Sequence, residues 1–286
     1  MAGKCLVVVL LAAVVSVAPG TAGPASAIAH GESAPDGAFP FSVLLTMTGL
    51  PTADHGTRDS SCSGALIAPR WVITAGHCFR DAAGRRVSRP VAARTTATVG
   101  RADLTSRAGH QADVVAVHQA GNADVALAEI GTAVTDITPL RIGTAPPTVG
   151  EIVRLTGYGL TAGADDATTE RLQTGQFTVE SVGDSLIGTA GRAPRPDTSP
   201  CPHDSGGAYF RQQAGRAVLV AVVSTGPTCP HPGPDLSART DNLSDWIAET
   251  IDPADSGIPQ WVLIGVGSLI LLMAMCGAII AVRRRP

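Results

Sequence analysis

Short aliphatic and β-branched runs recur along residues 28–251, separated by Gly, Pro, Asp and Asn. They include Phe41-Ser42-Val43-Leu44-Leu45, Trp71-Val72-Ile73-Thr74, Val114-Val115-Ala116-Val117 and Val125-Ala126-Leu127-Ala128. Later come Ile152-Val153-Arg154-Leu155, Gln176-Phe177-Thr178-Val179 and Ala217 to Val223. Many short strands with turn signals between them predict an all-β barrel or sandwich. About 220 residues is large for one sandwich and comfortable for two small barrels. One late segment breaks the pattern: Leu243, Trp246, Ile247 and Ile251 fall on one helical face, after Asp241 as an N-cap. Gly100 to Arg107 and Thr161 to Thr169 read as exposed loops.

The two ends carry a different pattern. Met1 to Lys4 is a short positive start, and Cys5 to Ala18 is almost wholly apolar. Pro19-Gly20 interrupts it, and Ala25-Ser26-Ala27 fits the small-x-small cleavage rule, so residues 1–27 read as a secretory signal peptide. The expected mature N-terminus is Ile28. At the other end, Trp261 to Val282 runs without a charge, long enough as a helix to cross a hydrocarbon core of about 30 Å. Trp261 marks one interface, and the tail 283–286, with Arg283-Arg284-Arg285, is expected inside. Residues 252–260 read as a juxtamembrane stalk. The expected location is the cell membrane, by a single pass, with residues 28–251 extracytoplasmic and the C-terminal helix in the lipid bilayer. A tail removed for a lipid anchor fits less well, because such tails usually end apolar.

Composition narrows the class. The chain has 286 residues, of which 44% are hydrophobic and 16% charged, which excludes full-length disorder. A formal charge of −3 argues against a nucleic-acid partner, which would call for a basic face. Setting aside Lys4 and the three terminal arginines leaves the middle more acidic still. Cys5 leaves with the signal and Cys276 lies in the apolar tail, so the middle keeps Cys62, Cys78, Cys201 and Cys229. An even number outside the cytoplasm predicts two disulfides, with three connectivities open. No Cys-x-x-Cys pair or His cluster suggests a metal site.

Candidate chemistry sits in three separated segments. They are Thr74-Ala75-Gly76-His77-Cys78, Asn122-Ala123-Asp124-Val125-Ala126-Leu127, and Cys201-Pro202-His203-Asp204-Ser205-Gly206-Gly207. Acyl transfer near neutral pH uses a hydroxyl nucleophile, a base with a pKa near 7, and an acid that fixes the base's tautomer. Ser205, His77 and Asp124 supply these types. The glycines after Ser205 let the backbone turn sharply beside a substrate. Each segment alone is weak; their order, together with the cysteines beside His77 and before Ser205, is specific.

On these residues the chain resembles the trypsin-like (chymotrypsin-fold) serine endopeptidases over about Ile28 to Ile251. The resemblance implies two six-stranded antiparallel barrels, a C-terminal helix and an active site between the barrels. His77 and Asp124 would come from the first barrel and Ser205 from the second. It implies disulfides Cys62–Cys78 and Cys201–Cys229, polypeptide substrates, and no metal or organic cofactor. Ile28-Ala29-His30-Gly31 resembles the family's Ile-Val-Gly-Gly start, whose freed ammonium pairs with the acid before the nucleophile, here Asp204. Signal cleavage would itself release that terminus.

The departures from the family bear on power and specificity. His203 stands where the family usually has Gly, whose amide joins that of Ser205 in the oxyanion hole. Ser224-Thr225-Gly226 resembles the substrate-pairing strand, usually Ser-Trp-Gly. Counting back from Ser205 puts Ser199 at the pocket floor; counting back from Trp246 puts Asp235 on its wall. A neutral floor favours apolar or aromatic side chains and Asp235 favours basic ones, in which case Arg85-Arg86 would be an exposed self-cleavage site. The rival to an active protease is a catalytically impaired protease fold used as a binding module, and a third reading is an esterase on the same triad.

Overall fold

The computed structural model describes residues 28–160 and 169–252. The expected signal peptide, most of the 161–169 loop, and everything from residue 253 onward lie outside the described residues. The expected membrane span lies there too; among the described residues no helix is long and apolar enough to cross a membrane.

Fourteen strands follow in order: β1 (Glu32–Ser33), β2 (Ser42–Pro51), β3 (Thr57–Ala68), β4 (Trp71–Thr74), β5 (Arg94–Val99), β6 (His110–Gln119) and β7 (Ala126–Ile130). Then come β8 (Arg141–Ile142), β9 (Ile152–Gly157), β10 (Gln173–Val182), β11 (Leu186–Ala193), β12 (Ala208–Gln213), β13 (Arg216–Thr225) and β14 (Pro234–Arg239). One helix, α1 (Ser244–Ile251), ends the described chain.

Every run read as a strand falls wholly or largely within one. The alternation is clear on β2, where Val43, Leu45 and Met47 are buried and Thr46 is exposed. Strands β2-β3-β4-β7-β6-β5 close a barrel on themselves. The second barrel closes in the order β9-β10-β11-β14-β13-β12, because β9 pairs with both β10 and β12. Two short strands add to it: β1 lies antiparallel against β10, and β8 runs parallel to β13. The all-β, two-barrel expectation therefore holds, with that one parallel pairing as an addition. Closing each sheet leaves no long free edge.

Each barrel fills its interior with alternate side chains of its strands. Val43, Leu45, Leu66, Ile73, Val99 and Leu127 fill the first. Ile28, Leu155, Phe177, Ile187, Tyr209 and Val220 fill the second, with Phe177 edge-on to Tyr209. Between the barrels, Phe210 of β12 packs at right angles to Phe41, with ring centres 5.2 Å apart. That aromatic contact fixes one barrel on the other and so sets the cleft between them.

The late helix forms as its spacing predicts. Ile247 is buried, and Leu243, Trp246 and Ile251 pack beside it against the first cluster. Asp241 does not cap it. Residues Asp241–Leu243 form a 3-10 turn, and the Asp241 carboxylate is taken by the Arg239 guanidinium. A near-buried carboxylate gains more from a two-pronged guanidinium than from one amide. The loop Gly100 to Arg107 is half-buried rather than fully exposed, and Thr169 is buried.

Candidate active site

His77 lies in a one-turn 3-10 helix, Gly76–Cys78, directly after β4. Asp124 sits just before β7, and β4 and β7 are hydrogen-bonded neighbours. Their side chains meet although they lie far apart in sequence. His77 Nδ1 is 2.7 Å from Asp124 Oδ2, and the His77 amide donates to Asp124 Oδ1 at 2.8 Å. Ser224, at the end of β13 in the other barrel, donates its hydroxyl to Asp124 Oδ2 at 2.7 Å. Burial by itself pushes this carboxyl up. The hydrogen bond and charge of His77 and the Ser224 hydroxyl outweigh it and hold Asp124 at about 2. Asp124 is therefore ionised at any ordinary pH, with the imidazole fixed in ring orientation.

Ser205 lines the same cleft as His77, a space of about 460 Å³ walled by both barrels. The loop that carries it is tied down closely. The Ser205 carbonyl accepts from the Ser63 amide at 2.9 Å, and the Gly206 amide donates to Val223. Gly206 is required: at φ +81° a Cβ there would stand 2.1 Å from Thr74 Oγ1 and 2.5 Å from the Ser63 carbonyl. The first barrel thus presses directly on the turn after Ser205. The disulfides are Cys62–Cys78, beside His77, and Cys201–Cys229, across the Ser205 loop.

His203 has φ +75°, in the left-handed region where a non-glycine residue is uncommon and histidine is among the better tolerated. Its imidazole is anchored on β3: Nδ1 lies 2.8 Å from the Ser61 carbonyl oxygen, 2.9 Å from the Ser61 hydroxyl and 3.1 Å from the Ser61 amide. Its carbonyl accepts from the Ser63 hydroxyl at 3.1 Å. Among the described residues, no hydrogen bond engages the amides of His203 and Ser205. Ser61 and Ser63 flank Cys62, and nothing in the sequence marks them, because their role appears only across the barrel interface.

Asp204 is fully buried. Its two oxygens accept from the amides of Gly159 and Cys201, both at 2.9 Å. Burial, with a further push from Asp235, raises its carboxyl to about 8. Ile28 is also fully buried, in the core of the second barrel, and Ala29 exchanges backbone hydrogen bonds with Ser199.

A second cavity of about 290 Å³ opens beside Ser205 and is lined by Ser224, Thr225, Gly226 and Asp235 among others. Thr225 and Gly226 are exposed, leaving the end of β13 open to a partner strand. Ser199 is fully buried and is not on the cavity lining; its hydroxyl accepts from the His231 amide at 3.2 Å. Asp235 does line it, 3% exposed, with His231 hydrogen-bonded behind it. The sequence pattern does not single out His231. Its spacing four residues before Asp235 is visible, but the prolines around it hide any regular register.

One more placement differs from expectation. Arg85 is exposed, but Arg86 is half-buried and committed: its guanidinium bonds the carbonyls of Ala123 and Gly121 and comes within 3.8 Å of Asp124 Oδ1. Arg86 is a brace for the turn that carries Asp124. Among the described residues no cluster of three His, Cys, Asp or Glu could hold a metal.

Comparison with known proteins agrees with this architecture. Serine protease 56 of Mus musculus is 29% identical over 259 residues, covering 80% of this chain and 39% of the relative. The same protein of Homo sapiens is 28% identical over 263 residues, covering 82% of this chain and 40% of the relative. Chymotrypsin-like elastase family member 3B of Macaca mulatta is 38% identical over 61 residues, 21% of this chain and 22% of the relative. The chain spans about two fifths of the length of the first two relatives. The sequence profile of the family described as Trypsin matches residues 28–247, most of the chain. The chain belongs to the trypsin family of serine proteases.

Proposed function

We propose that the chain is an extracytoplasmic serine endopeptidase, held at a membrane by its C-terminal apolar segment. The observation that carries the reading is the joining of His77 to Asp124 at 2.7 Å in the cleft that Ser205 lines. Ser205 attacks the peptide carbonyl, and His77 takes its proton and passes it to the leaving amine. Asp124 fixes the tautomer of His77 and stabilises the imidazolium. Water then hydrolyses the acyl-enzyme through the same base.

The amides of His203 and Ser205 form the oxyanion hole. That no hydrogen bond engages them among the described residues supports this role, and so does the left-handed φ, which keeps the His203 amide available without a glycine. Losing one such donor costs about 2.7–4 kcal/mol, so His203 must keep its conformation for efficient turnover. A polypeptide pairs as an antiparallel strand with Ser224-Thr225-Gly226. Thr225 leaves that edge open where a large aromatic would wall it.

Asp204 is a buried acid with two amide donors and an upward-shifted pKa, the environment a freed Ile28 ammonium would complete. Signal cleavage before Ile28 supplies that ammonium, so no separate zymogen step is called for. A chain retaining one extra residue ahead of Ile28 should be nearly inactive, and full activity in that form would remove the idea.

Fluorophosphonate labelling of the full-length chain processed to Ile28, alongside Ser205→Ala, tests the central claim. Labelling that disappears in the variant supports a working nucleophile and oxyanion hole. Absence of labelling in the folded, processed chain would instead mean that His203 disables catalysis and that the fold serves as a binding module.

A further inference from the structure

The cavity beside Ser205 carries an acid that is already spoken for. Asp235 stands on β14, 3% exposed, and lines the cavity. His231 lies four residues earlier, 8% exposed, with Nε2 3.2 Å from Asp235 Oδ1. Its other nitrogen, Nδ1, is 3.2 Å from the Pro232 carbonyl oxygen. A carbonyl oxygen only accepts, and so does an ionised carboxylate, whereas a neutral imidazole has a single N–H. Both ring nitrogens therefore face acceptors, and one N–H cannot serve both.

The geometry is satisfied when the pair carries one additional proton. Either an imidazolium faces a carboxylate, or a neutral imidazole donates to Pro232 while a protonated Asp235 donates to Nε2. In both forms the pair has no net charge. Loss of that proton leaves a net charge of −1 on the cavity wall. Asp235 Oδ2 is buried without a hydrogen bond, so an ionised carboxylate here lacks the donors that would settle its charge, and a cation in the cavity that Asp235 lines would offset it. Gly226 lets the end of β13 pass close to the acid: a Cβ there would lie 1.8 Å from Asp235 Oδ1.

We propose that the His231–Asp235 pair makes this cavity a proton-linked cation site, which takes a guanidinium or ammonium head group by releasing one proton to solvent and takes uncharged side chains while the proton stays. This rests on the endopeptidase reading only in identifying the occupant as the substrate side chain next to the scissile bond. The balance is simple: a cation enters, one proton leaves, and the site stays neutral. A single cavity then prefers basic side chains at higher pH and uncharged ones at lower pH. The choice between a basic and an apolar preference becomes a matter of protonation.

Groups from the neighbouring elements also face the pair. Thr189 of β11 stands opposite Asp235 in register, and Ser199 accepts from the His231 amide. Neither titrates. Tyr209 of β12 is held well above its usual range by burial, and so stays protonated throughout. Asp204 feels Asp235 and titrates while the leader remains attached. In the processed chain the Ile28 ammonium would keep Asp204 ionised, so the measurement uses that form. Burial raises the Asp235 carboxyl itself to about 6 against the opposing charge of His231. His77 lies across Ser205, outside this cavity's lining, and the variants below separate its contribution.

The test is calorimetric binding of benzamidinium, an aryl amidinium that copies an arginine head group, to the full-length processed chain. It runs from about pH 5.5 to about pH 8.5, around the neutral-range titrations. Across the titration Kd should fall by about tenfold per pH unit and then level off, as release of one proton dictates. The heat should depend on the ionisation enthalpy of the buffer, reporting about one proton released per ligand. Asp235→Asn should bind at least about tenfold more weakly at the high-pH plateau and show no slope. His231→Gln keeps a donor for Asp235 without titrating, so it should retain the plateau Kd and lose the slope above pH 6. No binding, a pH-independent Kd, no proton release, or a wild-type slope surviving in Asp235→Asn would each overturn the proposal. The endopeptidase reading fails separately, through loss of fluorophosphonate labelling at Ser205, which requires no cation.

Discussion

The two barrels bury carboxylates under opposite conditions. In the first, Asp124 is surrounded by donors: the His77 ring and amide, and the Ser224 hydroxyl from across the cleft. In the second, among the described residues, Asp204 accepts from two backbone amides, and Asp235 shares one imidazole with a carbonyl. The same residue type is consequently held at about 2 in one place and raised to about 8 in another. Burial raises all three acids; the count and kind of donors decide the net direction. The first barrel thus holds a permanent anion against the His77 ring, and the second holds acids that burial keeps protonated to higher pH.

The comparison breaks most sharply at the proposed nucleophile and base. Ser205→Ala should reduce kcat by about 10⁶-fold, measured on a peptide amide, if the three residues act as one unit. Asp124→Asn should cost about 10⁴-fold, since an amide cannot hold the imidazole in the required tautomer. A loss shared with Ser205→Ala in combination, rather than multiplied, would show that the two residues serve one step.

The disulfides compare the barrels mechanically. Removing either should cost about 2–5 kcal/mol. Cys201–Cys229 spans 28 residues and Cys62–Cys78 spans 16, so the chain-entropy difference adds only about 0.5 kcal/mol to the former. Urea unfolding of the two Cys→Ser pairs measures this, and a much larger gap would mean that the second barrel's loops depend on the crosslink for their native packing.

The acids differ in how they link stability to pH. Asp124, depressed in the folded state, contributes stability that is present above pH 4 and lost as pH falls toward 2. Asp204, raised, favours the folded chain below pH 4 and loses that contribution as pH rises through about 8. In the chain still carrying residues ahead of Ile28, Asp204→Asn should therefore raise Tm at pH 8 by at least about 3 °C, with little change at pH 4. In the processed chain the same variant should destabilise and inactivate, because the ammonium loses its partner. An equal Tm change in both forms would remove the proposed pairing. The smallest effect is expected for Arg86→Met. It removes the brace on Gly121 and Ala123 and should cost about 1 kcal/mol with a few-fold loss in kcat, read from urea unfolding and amide hydrolysis.

Much of this was legible in the chain itself. Strand positions followed from apolar runs bounded by turn residues, because a half-buried strand leaves a period-two trace. The helix at Leu243 to Ile251 was readable for the same local reason, whereas its cap was not: Asp241 had a stronger partner in Arg239, and only the fold decides which partner is in reach. The order of His77, Asp124 and Ser205 and their neighbouring cysteines pointed to the family that the sequence profile matches.

Tertiary structure decided what lies between those pieces. Ser61 receives the His203 ring from 142 positions away, and Ser224 reaches Asp124 across 100. Arg86, an ordinary surface cation by sequence, becomes a brace for the turn that carries Asp124. Ser199, placed by counting at a pocket floor, is sealed behind His231, and Asp235 takes the wall. Sequence alone determined which residue types were present and where strands begin, since those depend on neighbours along the chain. Charge states, pocket walls and partners depend on distance and on what solvent is excluded, and these arise only when two closed barrels meet.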